Sequence, residues 1–354
     1  MACATRSIRG WTIEMTTFAT PTLTVEGISV GFRRQGEIIP AVQDVSFSVH
    51  PGETLALVGE SGSGKSVTNL AVMRLVPPAP RTIVGGRALL TRKDGSVHDL
   101  ITASPAEMQS IRGNEIAMIF QEPMTSLNPV LSIGDQIAEA IGFHSSKSRK
   151  QALDQAAELL TLVGIPEARR RLSSYPHHLS GGMRQRVMIA MAISCHPRVI
   201  IADEPTTALD VTVQAQILEL LKRLQQQTGM AIVFITHNLG VVAEVADRVA
   251  VMYAGRIVEQ ASAVDLFAKP LMPYTAALLR SVPRMDQAGR ADVTLEAIRG
   301  TVPDPSHHPK GCAFHPRCNY HVAGRCDAEQ PPLEETGPGR KLRCLRWREI
   351  GVPA

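Results

Sequence analysis

Eight consecutive residues, Gly59-Glu60-Ser61-Gly62-Ser63-Gly64-Lys65-Ser66, fit the pattern G-x-x-x-x-G-K-[ST]. Glycines at these spacings let successive backbone N–H groups face a phosphate at close range. A helix that starts at the end of such a loop adds its partial positive charge. Lys65 is placed to reach the β- and γ-phosphates of a nucleotide such as ATP, and the Ser66 hydroxyl to ligate Mg²⁺. The flanks agree with this chemistry. Thr54–Val58 is a short apolar run, as a buried parallel strand should be, and the residues after Ser66 carry apolar side chains at helical spacing. A chance glycine-rich turn is the alternative, and it does not account for strand, loop and helix in that order.

Further residues carry chemistry that is coherent beside a bound phosphate. The apolar run from Arg198 ends in Asp203 and Glu204. Asp203 is expected to hold Mg²⁺, directly or through water, and Glu204 to orient or deprotonate the attacking water. With Pro205 following, the two carboxylates could instead begin a turn. Gln121 directly follows the apolar run Glu115–Phe120, where it can reach Mg²⁺ and the attacking water; a capping or solvent-facing Gln is the alternative. His237 lies just past the apolar run Ala231–Ile235 and is expected to donate to the γ-phosphate. Leu179-Ser180-Gly181-Gly182-Met183 leads into an apolar helix and makes a second glycine-containing helix start, suggesting that two copies enclose one nucleotide. An ordinary cap with a glycine pair is its plainer reading. Asp210 begins the amphipathic stretch Val213–Leu224, which it can cap. Phe32, after the strand-like Leu23–Val30, can stack on an adenine ring or pack as a core aromatic.

The elements that must hold these residues alternate. Leu23–Val30 and Ala41–Val49 read as an antiparallel pair ahead of the loop strand, and Arg81–Leu100 as a β-rich region. Ile133–Arg171 is helical in pattern, with Ala152–Val163 clearly amphipathic. Arg248–Tyr253 and Gly255–Glu259 form a last hairpin. Strands alternating with helices predict an α/β fold with a mainly parallel core sheet and its site at the strand carboxyl ends.

The chain has 354 residues, room for about two domains. It is 44% apolar and 20% charged, as a globular protein with a large core should be. A net charge of +4 with mixed signs gives no argument for nucleic acid. No apolar run reaches the length of a membrane span, and the N-terminus lacks the apolar segment of a secretory signal, so a cytoplasmic protein is expected. Residues 1–20 show no periodicity and are expected to be a poorly ordered tail, with Met15 an alternative start.

From about Leu271 the chain becomes rich in Pro and Gly and holds Cys312, Cys318, Cys326 and Cys344, spaced C-x5-C-x7-C-x17-C. Four cysteines in a short, loop-rich segment suggest a metal staple, although the spacing matches no compact zinc ribbon.

Taken in order, the loop, Gln121, Leu179–Met183, Asp203-Glu204, Asp210 and His237 give the chain a resemblance to ABC-transporter ATP-binding subunits, from about Pro21 to the C-terminus. The resemblance implies a P-loop cassette over residues 21–270, with a mainly parallel core sheet, an antiparallel β subdomain and a helical insertion at about 130–178. Residues 271–354 are then a small C-terminal extension. It implies that Phe32 stacks on adenine, that Ser180, Gly181 and Gly182 contact the γ-phosphate of ATP held by a second cassette, and that Asp210 links the two sites. Met183 departs from the commonest signature, which has Gln there, but Gly-Gly-Met is usual in one branch. Glu122–Pro129, Met272–Leu279 and Gly311–Cys318 resemble that branch, the peptide/nickel importers.

Its members energise import of dipeptides or oligopeptides; nickel or glutathione import is the alternative. A soluble ABC ATPase ranks lower, because such proteins usually carry two cassettes or a long coiled-coil insertion. The implied partners are two transmembrane permease subunits, a second cassette (itself or a homologue) and, indirectly, an extracytoplasmic solute-binding protein. No nucleic acid is implied, and the place is the cytoplasmic face of the membrane. Members of the branch carry a [4Fe–4S] cluster at such cysteines, so Cys312, Cys318, Cys326 and Cys344 are expected to hold one. Zn²⁺ ranks second and free thiols third. His315 is a possible alternative ligand, with a structural role preferred.

Overall fold

The computed structural model describes residues 7–8, 11–12, 20–122, 126–207, 209–281 and 297–351. Most of the expected N-terminal tail lies outside these, as do residues 123–125 of the branch-typical stretch after Gln121. Two short segments, β1 (Ser7–Ile8) and β2 (Trp11–Thr12), pair antiparallel.

An eight-stranded sheet forms the centre. Five of its strands are parallel, in the order β11 (Arg248–Tyr253), β5 (Thr54–Val58), β10 (Ala231–Thr236), β9 (Val199–Asp203) and β8 (Ile116–Ile119). Every residue of β5, β9 and β10 is buried, because helices or a second sheet cover both faces. The period-2 pleat divides the side chains between two cores. On β9, Ile200 and Ala202 join the cluster of the helical side, while Val199 and Ile201 join the cluster of the antiparallel sheet. That second sheet has the order β4 (Glu37–Val49), β3 (Leu23–Arg34), β6 (Thr82–Thr91) and β7 (Val97–Asp99). The β3–β4 hairpin runs further than the apolar pattern indicated, because its ladder continues to Arg34 and Glu37 through polar residues.

Helices start where hydroxyl or carboxylate caps stand. α1 (Lys65–Val72) opens from Gly64, whose φ of 100° needs glycine. α2 (Pro105–Ile111) is absent from the expectations above, yet Ser104 and Glu107 form a capping box around it. α3 (Ile133–His144), α4 (Arg149–Leu162) and α5 (Ala168–Arg171) make the helical block and share one core with α6 (Gly181–Ile193) and α7 (Val211–Thr228). α8 (Leu239–Val245), α9 (Ala263–Ala268) and α10 (Pro273–Arg280) complete the cassette side.

The C-terminal segment is built into this body. β12 (Arg256–Ser262) pairs with β11, and β14 (Arg340–Leu342) adds to β12, followed by β13 (Glu334–Gly337). Phe314 and Leu342 share a core with Val251, Tyr253 and Val258. The docking has an electrostatic centre in Glu259, which is fully buried. Its carboxylate accepts from the Leu271 and Met272 N–H groups at 2.9 and 3.0 Å and pairs with Arg340 at 2.8 Å. The cysteines are free and partly buried, and the Cys312 N–H donates to the Cys326 carbonyl at 2.8 Å. Burial, with the neighbouring cysteines adding to it, pushes the Cys312 thiol up to about 12; burial raises Cys318 and Cys344 as well.

Two outcomes follow from this packing. Glu259→Ala removes the carboxylate partner of Arg340, which keeps only the Lys269 carbonyl, and leaves two N–H groups without an acceptor; it should cost about 3 kcal/mol of stability in chemical denaturation, and a cost within error of zero refutes the docking role. Burial keeps the Cys312 thiol in its neutral, unreactive form at pH 8. Iodoacetamide followed by peptide mapping should leave it unmodified in native protein and alkylated in urea; rapid native alkylation contradicts the burial.

Candidate functional site

The loop Gly59–Ser66 leaves the carboxyl end of β5 and enters α1. Gly59 cannot be replaced without movement: a Cβ there would lie 2.2 Å from the Met252 carbonyl oxygen. The loop closes around Lys65, whose side chain is only 6% exposed with its residue. The ammonium donates to the carbonyls of Gly59 and Glu60 at 2.7 and 3.0 Å and to the Ser63 hydroxyl at 3.4 Å. Burial lowers the Lys65 pKa, against the pull of Glu204, Asp203 and Glu60. Ser61 and Gly62 lie exposed at the tip of the loop.

β9 delivers its two carboxylates to the same place. The Ser66 hydroxyl donates to Asp203 at 3.1 Å, joining the helix start to the end of a strand 137 residues away. Burial raises the Asp203 pKa, the Ser66 hydrogen bond opposing it. These two oxygen donors suit a hard divalent cation such as Mg²⁺.

Glu204 turns out of the strand in the left-handed region, with φ of 47°, its N–H bonded to the Ile235 carbonyl on β10. That turn aims its carboxylate at three partners. Gln121, past the end of β8, donates its Nε2 at 2.9 Å; Thr207 donates its hydroxyl at 2.9 Å; and Nδ1 of His237, past the end of β10, lies 2.9 Å away. Burial works to raise the Glu204 pKa, but the His237 and Thr207 bonds outweigh it and hold the carboxyl below its ordinary value. Gln121 and His237, expected at the metal and the γ-phosphate, both sit on Glu204 here. Thr207 was not foreseen, although it lies three residues on in the same turn.

The other expected residues stand apart from this group. Ser180 caps α6, accepting from the Met183 N–H at 3.3 Å, and Leu179 is buried beneath it. Gly182 is pressed against α7, where a Cβ would meet Val213 at 2.7 Å, and Gly181 faces Leu209. Asp210 caps α7 through the Val213 N–H at 2.9 Å. Asp210 and the Leu179–Met183 segment are therefore neighbours on one surface. Phe32 is half-buried on β3 and packs against the core of the antiparallel sheet.

Two residues that sequence reasoning did not assign grip the loop from the C-terminal side. The Tyr274 hydroxyl accepts from the Glu60 N–H at 2.9 Å. Arg317 pairs with the Glu60 carboxylate through both terminal nitrogens, at 2.7 and 3.0 Å. Tyr253, Tyr274 and Phe314 pack tilted or edge-on around these groups with ring centroids 4.6–5.3 Å apart.

The expectation of a [4Fe–4S] cluster, or of Zn²⁺, on Cys312, Cys318, Cys326 and Cys344 is not supported. Among the described residues no group of three or more His, Cys, Asp or Glu side chains stands in a metal-holding arrangement. The Nδ1 of His315 is 2.9 Å from the Cys312 carbonyl, a structural contact. The four cysteines stand as free thiols.

Comparison with known proteins places this geometry. The family model "ABC transporter" matches residues 42–207, and the model "Oligopeptide/dipeptide transporter, C-terminal region" matches residues 258–326. A Brucella abortus (strain 2308) protein that carries the name of a peptide import ATP-binding protein is 54% identical over 335 residues, 94% of this chain and 99% of that one. The oligopeptide transport ATP-binding protein AppD of Bacillus subtilis is 51% identical over 330 residues, covering 93% and 98%. The dipeptide transport protein DppD of Bacillus subtilis is 52% identical over 321 residues, covering 91% of each chain. Among solved structures, the dimeric ATP-binding cassette MJ0796 bound to ADP and Pi superposes with a TM-score of 0.59 at 27% identity, over 68% of this chain and 98% of that one. With these relatives matching across nearly the whole length, the chain belongs to the ATP-binding subunits of ABC transporters, in the oligopeptide/dipeptide branch.

Proposed function

We propose that this chain is the ATP-hydrolysing subunit of a peptide importer. The observation that carries the reading is the Glu204 carboxylate, held by Gln121, Thr207 and His237 beside the Ser66–Asp203 pair and Lys65. In the reading, Lys65 and the backbone of residues 59–66 hold the β- and γ-phosphates. Phe32 stacks on adenine from the β3 side. Ser66, Asp203 and the Gln121 side chain hold Mg²⁺, which offsets phosphate charge when bound. Glu204 accepts the proton of the attacking water. Its lowered pKa keeps it ionised at neutral pH, and His237 fixes its direction and comes to face the γ-phosphate when nucleotide enters. Catalysis here is positioning and electrostatics rather than covalent chemistry.

The surface formed by Leu179–Met183 and Asp210 is the part of the site that serves a second cassette. Ser180 on α6 then meets the γ-phosphate held by the partner's loop, and Asp210 faces across the interface. Two cassettes close on two ATP molecules and part after hydrolysis. No helix of the described residues is long and apolar enough to cross a membrane, so the reading places the chain on the cytoplasmic face, bound to two permease subunits. In the reading a solute-binding protein outside supplies the peptide; the names of the relatives bear on peptide import alone. Residues 21–270 serve as the cassette, with residues 130–178 as its helical part. The extension from 271 braces the loop.

Two measurements test this. Glu204→Gln should bind ATP as the parent does while hydrolysing it at least about a hundredfold more slowly; normal turnover removes Glu204 from the role of base. Affinity purification of the full chain from detergent-solubilised native membranes should bring two multi-spanning permeases, identified by mass spectrometry. Recovery of ribosomes, of nucleic acid or of no membrane protein sinks the importer reading.

A further inference from the structure

Arg317 belongs to the C-terminal segment, yet its side chain is 4% exposed and ends on the nucleotide loop, 257 residues earlier in the chain. All of its donors are placed. Nη1 and Nη2 make the two-point pair with Glu60; Nη1 also reaches the Tyr253 hydroxyl at 3.3 Å; Nη2 and Nε donate to the carbonyls of Ile298 and Arg299 at 3.3 and 2.8 Å. The guanidinium lies over the rings of Tyr253 and Phe314, 5.8 and 5.9 Å from their centroids. A planar fork so fully bonded holds its partner at a fixed angle as well as a fixed distance.

Glu60 is an unusual place to anchor such a fork. It follows Gly59, and each of its polar groups is held. Its carbonyl accepts from Lys65, its N–H donates to Tyr274, and its carboxylate takes Arg317. The first bond reaches the cation that meets phosphate. The other two come from the segment beyond residue 270. The short 3-10 turn His315–Arg317 that carries the fork is bracketed by Cys312 and Cys318, and that segment is tied to Cys326 by backbone.

We propose that Arg317 is a positioning residue for ATP binding: through Glu60 it sets the shape of the loop that presents backbone N–H groups and Lys65 to the phosphates. The proposal rests on the ATP-site reading above and adds to it a dependence of nucleotide affinity on the C-terminal segment. A loop held at Glu60 needs no further ordering when nucleotide arrives, so the clamp acts on binding rather than on the hydrolytic step.

The test uses the full-length chain, the fluorescent analogue methylanthraniloyl-ATP for affinity and steady-state ATPase for KM and kcat. The variants are Glu60→Gln, Arg317→Met, Arg317→Lys and the double Glu60→Gln/Arg317→Met. Glu60→Gln and Arg317→Met should each weaken nucleotide binding and raise KM about tenfold while kcat stays within about twofold. The double variant should be no weaker than either single one, and Arg317→Lys should recover only part of the loss, because a point charge does not reproduce the fork. A pure charge effect has the opposite sign at Glu60: removing a carboxylate near phosphates tightens binding, and the double variant then returns toward the parent. That pattern overturns the proposal, as does unchanged affinity in Glu60→Gln. The Glu60 side chain is 27% exposed, so Glu60→Gln reports even if Arg317→Met fails to fold. If the parent itself binds no nucleotide, the ATP-site reading and the proposal fall together; if the parent binds and the variants match it, the proposal alone falls.

Discussion

A buried ammonium group has to be met by oxygen atoms, and Lys65 imposes that requirement on everything around it. Its donors are taken up by the Gly59 and Glu60 carbonyls and the Ser63 hydroxyl, so the loop must curl back over its own cation. Curling back brings Gly59 against the Met252 carbonyl and Gly64 into the left-handed region, both closed to a side chain. The end of β5 must then be rigid, and it is, being paired to β10 and β11 with every residue buried. The same parallel pairing sets β9 beside β10, and so brings Asp203 and Glu204 to the level of Ser66 and His237.

The parts of this site that could be read from sequence are those whose chemistry is local. The loop pattern, the Asp203-Glu204 strand end and the glycine pair that opens α6 each fit within a few residues. Element positions followed from apolar periodicity, with errors where pairing or capping outweighed it. β3 and β4 run on through Arg33, Arg34 and Glu37 because the ladder continues there without apolar side chains. α2 is marked by its capping box rather than by an apolar stripe. What could not be read is which groups share an atom. Gln121 and His237 are 116 positions apart but meet on one carboxylate, and only the strand order puts them there.

The C-terminal segment shows the same limit more sharply. Its cysteine pattern was legible and suggested metal, but the described side chains assemble no metal-holding group. Its contact with the loop was invisible, because Tyr274 and Arg317 lie 214 and 257 residues from Glu60. Each belongs to a stretch typical of the branch, yet nothing in their types indicates a partner. Only the aromatic cluster of Tyr253, Tyr274 and Phe314 makes the approach intelligible, since it buries the rings that carry the grip.

β14 also does something for the sheet as a whole. β12 has five successive buried residues, Ile257–Ala261, and one side of its backbone would be open without a neighbour. An unpaired edge strand is a template for strand addition by another chain. β14 occupies that edge, and β13 then becomes the border strand, four residues long and beginning with exposed Glu334 and Glu335. The segment thus exchanges an open border for a short acidic one, which keeps the sheet from joining a stranger's.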